Sequence, residues 1–323
     1  MRKTPITILC ILLFTFTINS QNTFELLWTD VNKFEVDNLP KSALKVVQTI
    51  YSKATKEGNS PQLIKSLFYK SKFSLTLEED AQLKIIHQFK HHISKSTFPT
   101  KNVLEGVLAN LYWQYFTKNR YKFYNRTSTK NKVNSYDFRT WDLNTLFKEI
   151  HLHFKASLKE EAKLQQTPIT TFSNILQLHK DAQTYTPTLY DFLAKNALSF
   201  YKSSETSITR PSHKFIIEDP NYIKNTNLFS NLEITSKDSI SLQLHALKAY
   251  QKLIIFHLKA NNKDALALIN IERLHFVRRN ATFKNKEKLF LETLEKASKT
   301  NANHVSSGLY IFEIAKIKQQ KAT

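Results

Sequence analysis

Apolar residues recur every three or four positions along most of this chain, so the pattern predicts helices nearly throughout. Phe24, Leu27, Val31 and Phe34 mark a first helix over 22–35. Ala43, Val47, Ile50 and Ala54 mark a second over 41–56, closed at Gly58, where a left-handed residue can end a helix. Ser60-Pro61 restarts the chain as an N-cap followed by a first-turn proline, with Leu63, Ile64, Leu67 and Phe68 on the new face. Residues 40–73 thus read as one helical hairpin of tetratricopeptide length, which buries neither face alone and requires further hairpins to stack on it.

The same spacing predicts helices over 77–95 and 101–119, and a longer one from Arg139-Thr140-Trp141-Asp142-Leu143 to about Leu164. Thr186-Pro187 opens another helix, and four more follow over 239–259, 263–279, 284–299 and 304–318. Between them, 203–238 holds Pro211 and Pro220 and no sustained period. This segment reads as a long irregular connection, with Phe215-Ile216-Ile217 and Leu232-Glu233-Ile234 as a small strand pair. The expected fold is all-α: a right-handed α-solenoid of stacked, tetratricopeptide-like hairpins, with helical hairpins at 21–202, a linker at 203–238 and further hairpins at 239–323. The last helix carries Leu309, Phe312 and Ile317 with no polar capping unit after it, which predicts an incomplete array covered by further sequence or by a partner.

The densest stretch lies between Tyr112 and Trp141, where Tyr112, Trp113, Tyr115, Phe116, Tyr121, Phe123, Tyr124, Tyr136, Phe138 and Trp141 cluster. Rings bury more area than other side chains, so this stretch is the expected centre of the fold. Composition agrees with helices: among 323 residues there are three glycines and eight prolines, too few for many hairpin turns or a glycine-rich phosphate loop. Residues 1–20 have the layout of a secretory signal peptide, with Arg2-Lys3, an apolar run over 6–16 and a polar exit, which predicts cleavage at Ser20-Gln21. An uncleaved anchor is the alternative.

Export changes the meaning of the charge. The formal +20 comes from 47 Lys and Arg against 27 Asp and Glu, scattered and not blocked, which reads first as lysine spread over solvated helix faces; as a partner signal outside the cytoplasm it fits an anionic envelope surface and not nucleic acid. The single cysteine, Cys10, leaves with the signal, so no disulfide, thiol nucleophile or cysteine ligand is expected in the mature chain. His87 and His91 share a helix face, but Gln88 stands where the helical metalloprotease pattern needs glutamate, and no metal or other cofactor is expected. His151 and His153 form a second pair without a third ligand in sequence. Glu105 is the one carboxylate on the aromatic helix, the place to look for a glycan-cleaving acid. Asn125-Arg126-Thr127 and Asn280-Ala281-Thr282 match the short glycosylation triplet. The alternating aromatic and basic residues read first as core rings whose cations snorkel outward, with a candidate interaction surface built from Trp113, Tyr121, Lys122, Tyr124, Arg126, Arg139 and Trp141 as the other reading and no catalytic residue in either.

Four stretches together carry a family resemblance: Leu39-Pro40-Lys41-Ser42-Ala43-Leu44 with Pro61-Gln62-Leu63-Ile64-Lys65; residues 111–116 running into 119–127; Arg139-Thr140-Trp141-Asp142-Leu143; and residues 187–194. In this order the chain resembles the N-terminal helical region of the large alpha-2-macroglobulin-like proteins exported by Bacteroidetes, from Phe24 through Thr209-Arg210-Pro211 to the later helices. The resemblance implies an exported protein of the periplasm or outer cell envelope, and a non-enzymatic scaffold within an endopeptidase-inhibitor family. Its partners would be downstream macroglobulin domains or proteases. It supplies no bait segment, and a mature chain without cysteine has no thioester. The alternative is an envelope helical protein that binds or cleaves glycan in an aromatic and basic groove.

Overall fold

The computed structural model describes residues 23–124, 126–127, 129, 132–203 and 213–322. The expected signal segment, Asn125 of one glycosylation triplet and the Thr209-Arg210-Pro211 stretch lie outside the described residues. Among the described residues the fold is all-helical, with fifteen α-helices, short 3-10 turns and no strand. None of these helices is long and apolar enough to cross a membrane. The chain divides into two compact units, one taking in residues up to Leu104 with Thr171–Gln177, the other Glu105–Thr170 with Leu178–Thr323. The division falls within a helix, and residues 213–238 belong to the second unit.

In the first unit, α1 spans 23–36, α2 Pro40–Glu57, α3 Ser60–Leu77 and α4 Ala81–Lys95. Phe24, Trp28 and Val31 of α1 meet Ala43, Val47, Ile50 and Ala54 of α2 and Phe73 of α3 in one core cluster. The α2–α3 turn follows from its sequence. Gly58 takes φ +64, and the Asn59 side chain accepts a hydrogen bond from Gln62 N at 3.2 Å to cap α3. Trp28 Nε1 donates to Gln62 Oε1 at 2.7 Å, tying α1 to α3 while letting a buried indole keep its polar end satisfied.

The helix α5, Thr100–Lys118, opens the second unit from Glu105 onward, followed by α6, Arg120–Tyr124. The helix expected from about Arg139 to Leu164 is divided. A 3-10 turn covers Phe138–Thr140, α7 runs over Leu143–Ser157, Glu160 adopts φ 61, and α8 is Glu161–Gln166. The apolar period bridges this break, and only the backbone reversal at a non-glycine residue reveals it. A four-residue turn of helix at Ala182–Tyr185, α9, precedes α10, Leu189–Tyr201, which starts on a full capping box between Thr188 and Asp191.

The strand pair expected within 203–238 does not form among the described residues. Asp219 and Asn225 cap successive helical turns, a 3-10 turn at Pro220–Ile223 and α11 at Thr226–Ser230, so local side-chain capping wins over the two short apolar runs. Ile217 makes a single parallel bridge to Ala281, and its carbonyl accepts from Thr282 N at 3.0 Å. The helices α12 to α15 follow at Leu242–Lys259, Lys263–Asn280, Lys286–Thr300 and Ser307–Ala322.

Candidate interaction site

The aromatic stretch sits within the second unit and separates into a buried half and a displayed half. On α5, Tyr112 stacks on Trp141 (centroids 5.9 Å apart, 29° between planes) and on His153 (5.8 Å, 18°), and meets the edge of Phe138 at 5.1 Å. One residue on, Trp113 contacts Phe116, Phe147 and Phe200, the last edge-on at 5.0 Å. Such offset and edge-on pairs are the favoured geometry of buried rings. Trp141 is 1% exposed, and its Nε1 donates to Asn134 O at 2.6 Å. Neither tryptophan of the expected surface therefore faces outward as a stacking platform.

The arginines of that expected surface brace it. Arg126 Nη1 donates to the carbonyls of Arg139 (2.9 Å) and Trp141 (2.5 Å), while the guanidinium lies 4.9 Å above the Phe123 ring. Arg139 grips Asp137 with two bonds, Nε to Oδ1 at 2.9 Å and Nη2 to Oδ2 at 2.8 Å. Fixed forks of this kind suit arginine and not lysine. The result is that the short α6 is braced against the turn entering α7. Tyr121 (68% exposed) and Tyr124 (51%) project from it, with Lys122 Nζ 5.8 Å from the Tyr121 ring centre. Of the seven expected residues, Tyr121, Lys122 and Tyr124 form the displayed face, Trp141 is buried, and Trp113, Arg126 and Arg139 are half-buried. Tyr136, also strongly exposed, lies on the same turn-rich stretch.

Stacked against Tyr112, His153 is the centre of an acid–imidazole–acid array. Glu105 Oε2 lies 2.6 Å from His153 Nδ1, Glu149 Oε1 lies 3.6 Å from His153 Nε2, and Glu149 Oε2 accepts from Lys132 Nζ at 2.7 Å. Burial works to lower the His153 pKa, but the two flanking carboxylates outweigh it and hold the imidazole above its ordinary value. Glu105 is thus engaged by the His153 imidazole in the interior and does not line an open groove. Asp142, whose Oδ1 caps α7 through Thr145 N at 2.8 Å, resists burial through hydrogen bonds from Thr129 and Thr145, which keep its carboxyl below the usual range.

Two further histidine sites were not singled out by spacing. His151 and His245 stack at 3.9 Å, with His151 Nδ1 2.8 Å from the Tyr201 hydroxyl. Burial first, then the neighbouring His245 and Lys155, depress His151 to about 3. His257 Nε2 lies 2.7 Å from Asp191 Oδ1 in a fully buried pair, and its Nδ1 has no hydrogen-bond partner. The sequence signal for both pairs is weak, because the partners lie 94 and 66 residues apart and belong to different helices.

No family model, curated protein or solved structure matches this chain. The site therefore rests on its own geometry. Among the described residues no three His, Cys, Asp or Glu converge as a metal-binding group.

Proposed function

We propose that this chain is a non-enzymatic helical scaffold, an interaction module of an exported protein of the alpha-2-macroglobulin, endopeptidase-inhibitor type, with its hairpins stacked as a right-handed α-solenoid. The observation that carries this reading is the Tyr121–Lys122–Tyr124 face of α6, displayed outward and braced by the two carbonyl bonds of Arg126. Tyrosine offers large contact area at small cost in side-chain entropy, and rigid support lowers the ordering penalty of binding. The engagement of Glu105 by His153 supports a scaffold over a glycan-cleaving acid. The four sequence stretches that resemble the exported macroglobulin-like proteins name the partner class: proteases or macroglobulin β-domains.

The test is binding of the purified chain to a panel of endopeptidases, read by surface plasmon resonance. The double variant Tyr121→Ser/Tyr124→Ser is expected to weaken the complex by about tenfold or more, with an unchanged melting temperature. Unaltered binding in that variant would remove the α6 face from the function. A second reading, glycan binding, draws on the same tyrosines beside lysine, since sugar rings stack on exposed aromatic faces. Co-sedimentation with peptidoglycan, lost in the same variant while no protease binds, would select it.

A further inference from the structure

The second unit holds a cavity of about 340 Å³ between α11, α13, α14 and α15, remote in sequence from the aromatic stretch. Its size falls in the range of ~300–1,000 Å³ usual for small-molecule sites. The lining is mixed, with Leu266, Ala267 and Ala297 supplying apolar surface beside the polar groups. Lys263 and Lys296 contribute amines, Asn225, Asn227, Asn270 and Asn301 contribute amides, and Thr226, Thr300 and Tyr310 contribute hydroxyls. Neither lysine forms an ion pair with a carboxylate among the described residues, and the nearby Asp264 carboxylate is 3.8 Å from His304.

Behind Asn270 of the cavity floor lies a third cation. Arg273 is fully buried and has no carboxylate in contact. Its guanidinium donates to Tyr222 O (2.6 Å), to Lys224 O (2.7 Å) and to Asn270 Oδ1 (2.6 Å from Nη2, 3.2 Å from Nε), and lies 4.3 Å above the Phe229 ring. Clamping the Tyr222 and Lys224 carbonyls explains two of those bonds as plain structure. The bond to Asn270 does more. With Oδ1 held by the guanidinium, the Asn270 amide turns its NH2 towards the cavity side, where Nδ2 donates to Tyr310 Oη at 3.2 Å. A hydroxyl that accepts there keeps its own proton to give. Burial holds Tyr310 above its ordinary pKa, so that proton stays on at neutral pH. The chain Arg273–Asn270–Tyr310 therefore lines the floor with donors, backed by a positive charge that no carboxylate among the described residues pairs with.

We propose that this cavity binds a small polyhydroxylated anion, a sugar acid or a sugar phosphate. Its charge would be met by Lys263 and Lys296 over the Asn270–Tyr310 floor, and its hydroxyls by the surrounding asparagines and threonines. Donors from a buried cation and two unpaired lysines select for negative charge. Amide side chains, which both give and accept, suit sugar hydroxyls. The site lies outside the α6 face, so it stands or falls separately from the scaffold reading.

Isothermal titration of the chain with glucose 6-phosphate and with glucuronate tests it, with glucose and inorganic phosphate as separate probes. The expected result is saturable binding of at least one of the two anions, with glucose weaker by about tenfold or more. Lys263→Ala/Lys296→Ala, two exposed positions whose loss leaves the fold intact, is expected to weaken the anion by a similar factor. Asn227→Ala, also exposed, is expected to weaken it less and to leave the salt dependence unchanged. Glucose binding as tightly as its phosphate would overturn the anion selectivity. Inorganic phosphate matching glucose 6-phosphate would overturn the sugar component. Absence of heat with both anions, or binding untouched in the double lysine variant, would overturn the site.

Discussion

The stacked His151–His245 pair makes the second unit lose stability in acid, as the burial of His92 does in the first unit. Burial is the first cause at both imidazoles. The neighbouring His245 and Lys155 add to it at His151, while at His245 the Ser239 carbonyl opposes it without reversing it. Both rings are therefore neutral when folded, whereas an unfolded histidine protonates near 6.5 and His151 only near 3. Below pH 6.5 the unfolded chain binds the extra protons, so the folded state loses stability as pH falls from there towards the folded value. Each pH unit within that window costs about 1.4 kcal/mol per such group, so His151 alone removes about 2–3 kcal/mol between neutrality and about pH 4.5. Against a total of ~5–15 kcal/mol for a typical domain, this is a large fraction. His153 works in the opposite sense, since its raised value stabilises below its ordinary pKa and that contribution fades as pH rises through the folded value. Comparing two chains that both keep His153 cancels it. The assay is urea unfolding at neutral and at mildly acid pH, followed by fluorescence in a Trp28→Phe background, so that Trp113 and Trp141 of the second unit report alone. His151→Asn/His245→Gln is expected to lower stability at neutral pH through lost packing, yet to flatten the acid loss by about 2 kcal/mol or more. Identical pH slopes in the two chains would refute the assignment.

Other substitutions probe the remaining packing. Trp113→Ala is expected to cost about 3–5 kcal/mol in chemical denaturation, because the ring is held among Phe116, Phe147 and Phe200; a near-neutral value would return it to the surface. Asp191→Ala removes the α10 capping box and the carboxylate on His257 together, with an expected loss of about 3 kcal/mol or more in the same measurement. Gly58→Ala meets no atom within 4 Å, so only the cost of φ +64 remains, about 1 kcal/mol by thermal unfolding. Arg273→Met leaves the Tyr222 and Lys224 carbonyls and Asn270 without their donor and is expected to destabilise by about 2–4 kcal/mol, however well the thioether fills the space.

Helices were legible in the sequence wherever an apolar stripe was long and a cap stood at its start. The α2–α3 hairpin shows this best, because Pro40, Gly58 and Pro61 each set the backbone locally and need no distant partner, although the cap falls on Asn59 and not on the expected Ser60, which is the first residue of the helix. The break at Glu160 and the capped turns at Pro220–Ile223 and Thr226–Ser230 were hidden for a related reason. Apolar spacing reports which residues are buried, not whether the backbone between them stays helical, and Asp219 and Asn225 act within two or three residues, below the reach of a period. At the site, composition located the aromatic centre but not which rings face water. Trp113, Tyr121 and Trp141 are all large amphipathic residues, and what separates them is tertiary: Phe200 and Asn134 claim the two tryptophans, while Tyr121 stays exposed. The same limit conceals Arg273. A basic residue at a helical position in a lysine-rich chain reads as one more solvated charge. Its burial depends on carbonyls 49 and 51 residues away that only folding brings into reach. A desolvated guanidinium bonded only to neutral groups carries a cost that well-packed apolar side chains would avoid. Its presence where an asparagine relays it to a donor-lined cavity is the feature that separates a binding site from a packing defect.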